Sequence, residues 1–312
     1  MNDDGVNWER DVIVKLASDA LAEQKRARRW GIVFKILTLG YLFILLFVAL
    51  GWLGQSEVIQ SGDHTAVVEL NGVIAADAQA SADDIIAGLK KAFEADGTKA
   101  VVLRINSPGG SPVQAADIND EMRRLRDLHP DIPLYAVVED ICASGGYYVA
   151  VAADQIFVAK ASIVGSIGVL MNGFGFTGTM DKLGVERRLL TAGKNKGFMD
   201  PFSPLDPEQQ AYARDMLNEI HAQFIEAVRL GRGNRLKETE QTFSGLVWTG
   251  EKSIELGLTD ALGSVAYVAR EVVKAEKIVN YSQQENLVER LARRFGATFG
   301  ESVVRAIRAD VQ

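Results

Sequence analysis

Residues 100–128 read AVVLRINSPGGSPVQAADINDEMRRLRDL. Ala100–Ile105 is a short apolar run, rich in β-branched residues, of the kind that fits a strand buried on both faces. Asn106–Ser111 is a glycine turn. Pro112–Leu128 reads as a helix. The same strand, turn and helix alternate outward from this stretch. His64–Ile74 is β-rich and broken at the turn dipeptide Asn71-Gly72. Ser81–Ala95 sets Ile85, Ile86, Leu89 and Phe93 on one side of a helix. Leu134–Val138, Gln155–Ala159 and Glu186–Thr191 read as strands, and Gly145–Ala153 as a helix. Asp206–Arg232 is a long amphipathic helix, with Asp206 as N-cap, Pro207 at the first position, and Gly231 and Gly233 ending it. Short strands alternating with helices over this length predict an α/β domain with a mostly parallel sheet. No repeat period of a solenoid is visible.

Ahead of this region lies a different kind of sequence. Residues 30–53, WGIVFKILTLGYLFILLFVALGWL, carry one formal charge, Lys35. About 20 residues of helix span a hydrocarbon core of about 30 Å, so the run is long enough to cross a membrane. Trp30 and Trp52 bracket it as an aromatic belt would. It exceeds the 7–15 residue core of a signal peptide and starts too far into the chain for one. Lys25, Arg26, Arg28 and Arg29 precede it, and after it no lysine or arginine appears until Lys90. The positive-inside rule therefore places residues 1–29 in the cytoplasm and the rest outside, in the periplasm of a bacterium with its anchor in the inner membrane. The expected order is a cytoplasmic segment (1–29), a transmembrane helix (30–53), a polar stalk (54–62), a catalytic domain (63–275) and a C-terminal helical extension (276–312). The extension holds an arginine-rich amphipathic helix, Asn286–Asp310.

Composition excludes several classes. In 312 residues, 47% hydrophobic and 24% charged, the balance is that of a folded protein. A net charge of −7 argues against nucleic acid as a partner. A single cysteine, Cys142, rules out an intrachain disulfide framework and a CxxC motif. Three histidines, His64, His129 and His221, leave little for a histidine-rich metal site. None of them sits in a motif.

Three glycine-rich turns could carry chemistry: Ile105–Ser111 (INSPGGS), Ala143–Tyr148 (ASGGYY) and Ile163–Val169 (IVGSIGV). Ser144 stands between a strand end and a helix start, where unpaired N–H groups give a partial positive potential. That setting suits a nucleophile, and it equally suits an ordinary serine N-cap. Pro-Gly-Gly after a strand is either a tight turn or a pair of N–H donors for an oxyanion. With no histidine placed to serve, a lysine freed of its proton by burial could be the base of a serine nucleophile. Lys196, in the stretch 192–200 (AGKNKGFMD), ends a predicted strand and enters a loop. Alone, such a lysine reads as a solvated surface charge.

Taken together, SPGG, ASGGYY, GSIGV and GKNKG…DPFSP, with the later GLVWTGE…ELGLTD (245–260), resemble the signal peptide peptidase A family in its short, single-repeat form. The similarity runs from about His64 to about Glu271. It implies a Clp protease/crotonase-like fold of repeated ββα units and a serine endopeptidase with a Ser/Lys dyad. By motif position, Ser144 corresponds to the nucleophile and Lys196, 52 residues on, to the general base. Lys194, two residues earlier, is the obvious competitor. Ser166 corresponds to a serine that hydrogen-bonds the lysine amine, and the Gly110 and Gly145 N–H groups to the oxyanion hole. The resemblance implies no metal and no cofactor. Its expected substrates are remnant signal peptides and similar hydrophobic peptides. It also implies a homo-oligomeric ring whose sites take serine and lysine from neighbouring subunits. Ile163, Val164, Ile167, Val169, Leu170 and Phe174 are candidates for substrate pockets, or else plain core. A catalytically silent scaffold, an acyl-CoA enzyme of the crotonase type and a stomatin-associated membrane protease are the competing readings.

Overall fold

The computed structural model describes residues 4–49 and 62–283. These fall into two units, each taken by itself. The first is helix α1 (Asp4–Ala49). Its described side chains point outward, with Trp30, Leu37, Leu39 and Phe43 all more than half exposed. It is long and apolar enough to cross a membrane. The helix starts well before the expected span, because residues 4–29 contain neither glycine nor proline beyond Gly5 to stop it. Trp52, nearly all of the stalk and the expected helix Asn286–Asp310 lie outside the described residues.

The second unit is α/β, as expected. Its elements run β1 (His64–Asn71), α2 (Ala82–Glu94), β2 (Thr98–Ser107), α3 (Pro112–Leu128), β3 (Leu134–Ala143), α4 (Gly145–Ala150), β4 (Gln155–Val158), β5 (Ile163–Gly165), α5 (Thr177–Leu183), α6 (Pro207–Arg232), β6 (Val247–Thr249), α7 (Gly250–Glu255), β7 (Ala261–Leu262) and β8 (Ile278–Asn280). The strand order is β6-β5-β3-β2-β1-β8, parallel throughout except for β5 against β6. Strand β3 serves two neighbours. Its first half pairs β4 at Tyr135–Val137, and its last residues pair β5 at Ile141–Ala143. The end of β3 also stays paired with β2, at Ser107 and Cys142, after a register shift beyond Ile105.

One face of the sheet (Val68, Leu70, Leu103, Ile105, Val138) packs against Leu89 of α2, Ile118 and Met122 of α3, and Phe224 of α6. The other face is thinner, with Val67, Val102, Val137 and Phe157 under Val268. Apolar residues on both faces explain the unbroken hydrophobic runs of β1 and β2.

Three sequence expectations fail here. Glu186–Thr191 is not a strand but irregular, exposed chain. No described strand lies alongside to take its backbone hydrogen bonds, and Leu189 and Leu190 are 43% and 96% exposed. Gly231 does not end α6. It lies inside the helix, where a Cβ would stand 2.0 Å from the Val151 carbonyl oxygen. Gly233, at φ +51°, is the true cap. The helix starting at Gly145 also stops at Ala150, three residues early.

Candidate active site

Three turns meet at the fork of β3. In the first, the buried Ser107 hydroxyl donates to the Gly72 carbonyl (2.6 Å) and accepts from the Gly109 N–H (3.1 Å). The Ile74 N–H donates to the Gly109 carbonyl (2.9 Å), and the Ser111 N–H to the Ile74 carbonyl (2.8 Å). Gly109 has φ +100°. A Cβ there would stand 2.6 Å from the Gly145 nitrogen and 2.7 Å from the Ser144 Cβ, so no other residue fits against the second turn.

In the second turn Ser144 has φ 52° and ψ −123°, a region that side chains avoid. Its N–H donates to the Gly165 carbonyl (2.8 Å), and its carbonyl accepts from the N–H groups of Tyr147 (2.9 Å) and Tyr148 (3.0 Å). The backbone is thus held on both sides. The hydroxyl is left over. It occupies the N-cap position of α4 yet makes no capping hydrogen bond, which separates this serine from an ordinary cap. The N–H groups of Gly110 and Gly145 border the same space, and neither is donated to another described group of the chain.

The third turn carries Ser166, also at φ 52°. Its N–H donates to the Leu246 carbonyl (2.7 Å). Gly165, at φ +114°, lies under the Trp248 ring, which a Cβ would meet at 2.7 Å. The motif around Trp248 therefore buttresses this turn.

Ser144, Ser166, Gly110 and Gly145 line one cleft of about 800 Å³. Val113, Tyr148, Leu170 and Phe224 form much of its apolar wall, and Asp117 is its only acidic residue among the described residues. Of the pocket candidates, Val169 and Leu170 line it, whereas Val164 and Ile167 are fully buried core. Ile163 sits on β5, and Phe174 is 76% exposed beside Phe176. Tyr148 closes the ASGGYY turn, whereas Ile220 and Phe224 had no signal in the sequence beyond a helical apolar stripe.

Among the described residues no lysine lines the cleft. Lys196 sits on the exposed loop after α5, and its side chain makes no hydrogen bond or ion pair among the described residues. Lys194 is engaged elsewhere, its Nζ 3.2 Å from a Glu208 carboxylate oxygen. The loop is ordered by its own contacts. Asp200 accepts from the Ser203 hydroxyl (2.7 Å) and from Arg187 (3.1 Å), and both hold its carboxyl below the usual range. Arg187 also lies over the Phe202 ring at 5.4 Å.

The histidines divide. Buried His64 is bonded to the Gly62 carbonyl (3.0 Å) and the Tyr281 hydroxyl (2.9 Å), and His129 stacks on Phe93 at 5.3 Å. His221 contacts the Ile167 carbonyl (3.1 Å). Behind the cleft, Arg232, 1% exposed, makes two hydrogen bonds to Asp260 (2.8 and 2.9 Å) and one to the Gly257 carbonyl (2.8 Å). Burial pushes the Asp260 carboxyl up, but the Arg232 hydrogen bond and charge and the Ile156 N–H bring the net below the usual range. Burial pushes the Cys142 thiol and the Tyr147 phenol far up. Neither is a nucleophile at neutral pH. Among the described residues no three His, Cys, Asp or Glu side chains group as metal ligands.

Residues 126–279 match the model of "Peptidase family S49". The chain is 46% identical over 179 residues to a Na(+)/H(+) antiporter NhaA of Brucella melitensis, a match covering 57% of this chain and 24% of that protein. It is 30% identical over 218 residues to a putative signal peptide peptidase SppA of Enterococcus faecium, covering 66% of this chain and 63% of the relative. It is also 30% identical over 199 residues to the putative protease slr0021 of Synechocystis sp., covering 64% of this chain and 69% of the relative. The chain thus spans about a quarter of the antiporter and somewhat under two thirds of the Enterococcus relative.

Proposed function

Because the chain belongs to peptidase family S49, we propose that it is a membrane-anchored serine endopeptidase in which Ser144 is the nucleophile and Lys196 the general base. The observation that carries this reading is the state of Ser144. A serine is held at a disfavoured backbone angle, its hydroxyl uncommitted, in a cleft bordered by two undonated N–H groups.

The steps follow from the parts. Lys196 takes the Ser144 proton, and the oxygen attacks the scissile carbonyl of a bound peptide. The tetrahedral oxyanion accepts from the Gly110 and Gly145 N–H groups, a contribution of about 2.7–4 kcal/mol per donor in comparable sites. The lysine ammonium returns the proton to the leaving amine. Water then hydrolyses the acyl-enzyme, with Lys196 again as base. Ser166 orients the amine.

Lys196 reaches Ser144 from a neighbouring copy. Support comes from the cleft, which no lysine lines among the described residues, and from the exposed chain of 183–196, which carries Lys196 together with exposed Leu183, Leu189 and Leu190. An amine docked against another subunit's apolar cleft favours its neutral form. The assembly is therefore a homo-oligomeric ring. The anchor is residues 30–53 in the inner membrane, residues 1–29 are cytoplasmic, and the peptidase domain, 63–275, faces the periplasm. The apolar walls suit hydrophobic peptides, remnant signal peptides among them, which the anchor keeps close to the bilayer.

A serine-directed fluorophosphonate probe tests the reading. It should label the purified full chain on Ser144, and Ser144→Ala should abolish both labelling and peptide hydrolysis. Labelling elsewhere with hydrolysis intact in Ser144→Ala would refute it.

A further inference from the structure

We propose that His221 is a positioning residue of this site, holding the backbone that presents the Ser166 hydroxyl. The proposal rests on the peptidase reading above. Ser166 lies at φ 52°, an angle a non-glycine residue keeps only when its surroundings enforce it. Two bonds flank it. On one side its own N–H donates to the Leu246 carbonyl at 2.7 Å. On the other, the carbonyl of the next residue, Ile167, meets the His221 Nε2 at 3.1 Å. A carbonyl only accepts, so Nε2 carries the proton and His221 is the donor. The Ile167 side chain is fully buried, which prevents this residue from swinging out to find another donor. Gly168 then passes within close contact of Gly245, where an added Cβ would stand 3.1 Å from the Gly245 Cα.

His221 does not act on substrate. Its neighbours on α6, Ile220, Gln223 and Phe224, line the cleft, and His221 does not. Its Nε2 proton is committed to Ile167. The residue that α6 contributes to the reaction geometry therefore works from behind the cleft wall, through the Ser166 turn. Ser166 in turn decides where the lysine amine rests relative to Ser144.

The test is a double-mutant cycle on the full chain in detergent, with kcat and KM measured on a hydrophobic fluorogenic peptide and thermal unfolding in parallel. His221→Met matches glutamine in length but cannot donate. His221→Gln can. We expect His221→Met to lower kcat about tenfold with KM nearly unchanged, as for a small displacement of a reacting group. His221→Gln should recover most of that loss. In a Ser166→Ala background, His221→Met should lower kcat no further. The proposal is overturned if His221→Met stays within about twofold of the parent. It is equally overturned if its loss adds fully to that of Ser166→Ala, if His221→Gln is as poor as His221→Met, or if His221→Met no longer unfolds cooperatively. Ser144→Ala is run alongside. Parental turnover in that variant would sink the peptidase reading itself, and this proposal with it, whatever the values at position 221.

Discussion

Ser144, the proposed nucleophile, is also a residue held at a disfavoured backbone angle. At φ 52° and ψ −123° a side chain costs about 1–3 kcal/mol, and glycine would relieve it. We therefore expect Ser144→Gly to unfold at a higher temperature than the parent while losing hydrolysis. A lower melting temperature would mean that the Ser144 backbone is not under strain. Gly109 is the complement. With a Cβ predicted to stand 2.6 Å from the Gly145 nitrogen, Gly109→Ala must displace the Ser144 turn. Hydrolysis should fall by about a hundredfold or more, the scale of an ångström misplacement. Retention of parental kcat would mean the two turns do not depend on each other. The motifs around both residues were legible in the sequence, but their meaning was not. ASGGYY fits a cap as well as an elbow, and only the idle hydroxyl separates the two.

Among the elements, α6 does the most. It contributes Ile220 and Phe224 to the cleft wall, His221 to the Ser166 turn and Arg232 to Asp260. Removing one partner of a buried ion pair leaves the other uncompensated, a loss of about 3–5 kcal/mol. Asp260→Asn should therefore lower the unfolding free energy by that order, read by urea titration, and a change under about 1 kcal/mol would assign the pair a minor role. The sign in pH follows. The Asp260 carboxyl is held below its ordinary value in the folded chain, so its contribution is present above the unfolded pKa of about 3.9 and is lost as pH falls through the folded value. Asp260→Asn should flatten that acid limb, and an unchanged slope would count against the assignment. Element boundaries were readable where local chemistry sets them. Asp206 with Pro207 starts α6. They were unreadable where distant chain decides. Gly231 looks like a stop signal but answers to Val151, and Glu186–Thr191 has strand composition but no strand beside it.

For the molecule as a whole, the α/β class was legible because parallel strands buried on both faces leave continuous apolar runs. The proposed site was not, since Lys196 lies on an exposed loop and no lysine among the described residues lines the cleft of a single chain. The proposed membrane attachment belongs to the same scale. Deleting residues 1–53 should release the protein from the membrane fraction, and continued sedimentation with membranes would show that α1 is not the anchor. The division of the site between copies is tested most directly by co-expressing Ser144→Ala and Lys196→Ala chains, each inactive alone. In a ring where each site draws on two subunits, random mixing restores about a quarter of the sites. Recovery of hydrolysis near that level is the predicted result. Mixed assemblies as inactive as either parent variant would contradict it, because serine and lysine would then have to come from one chain.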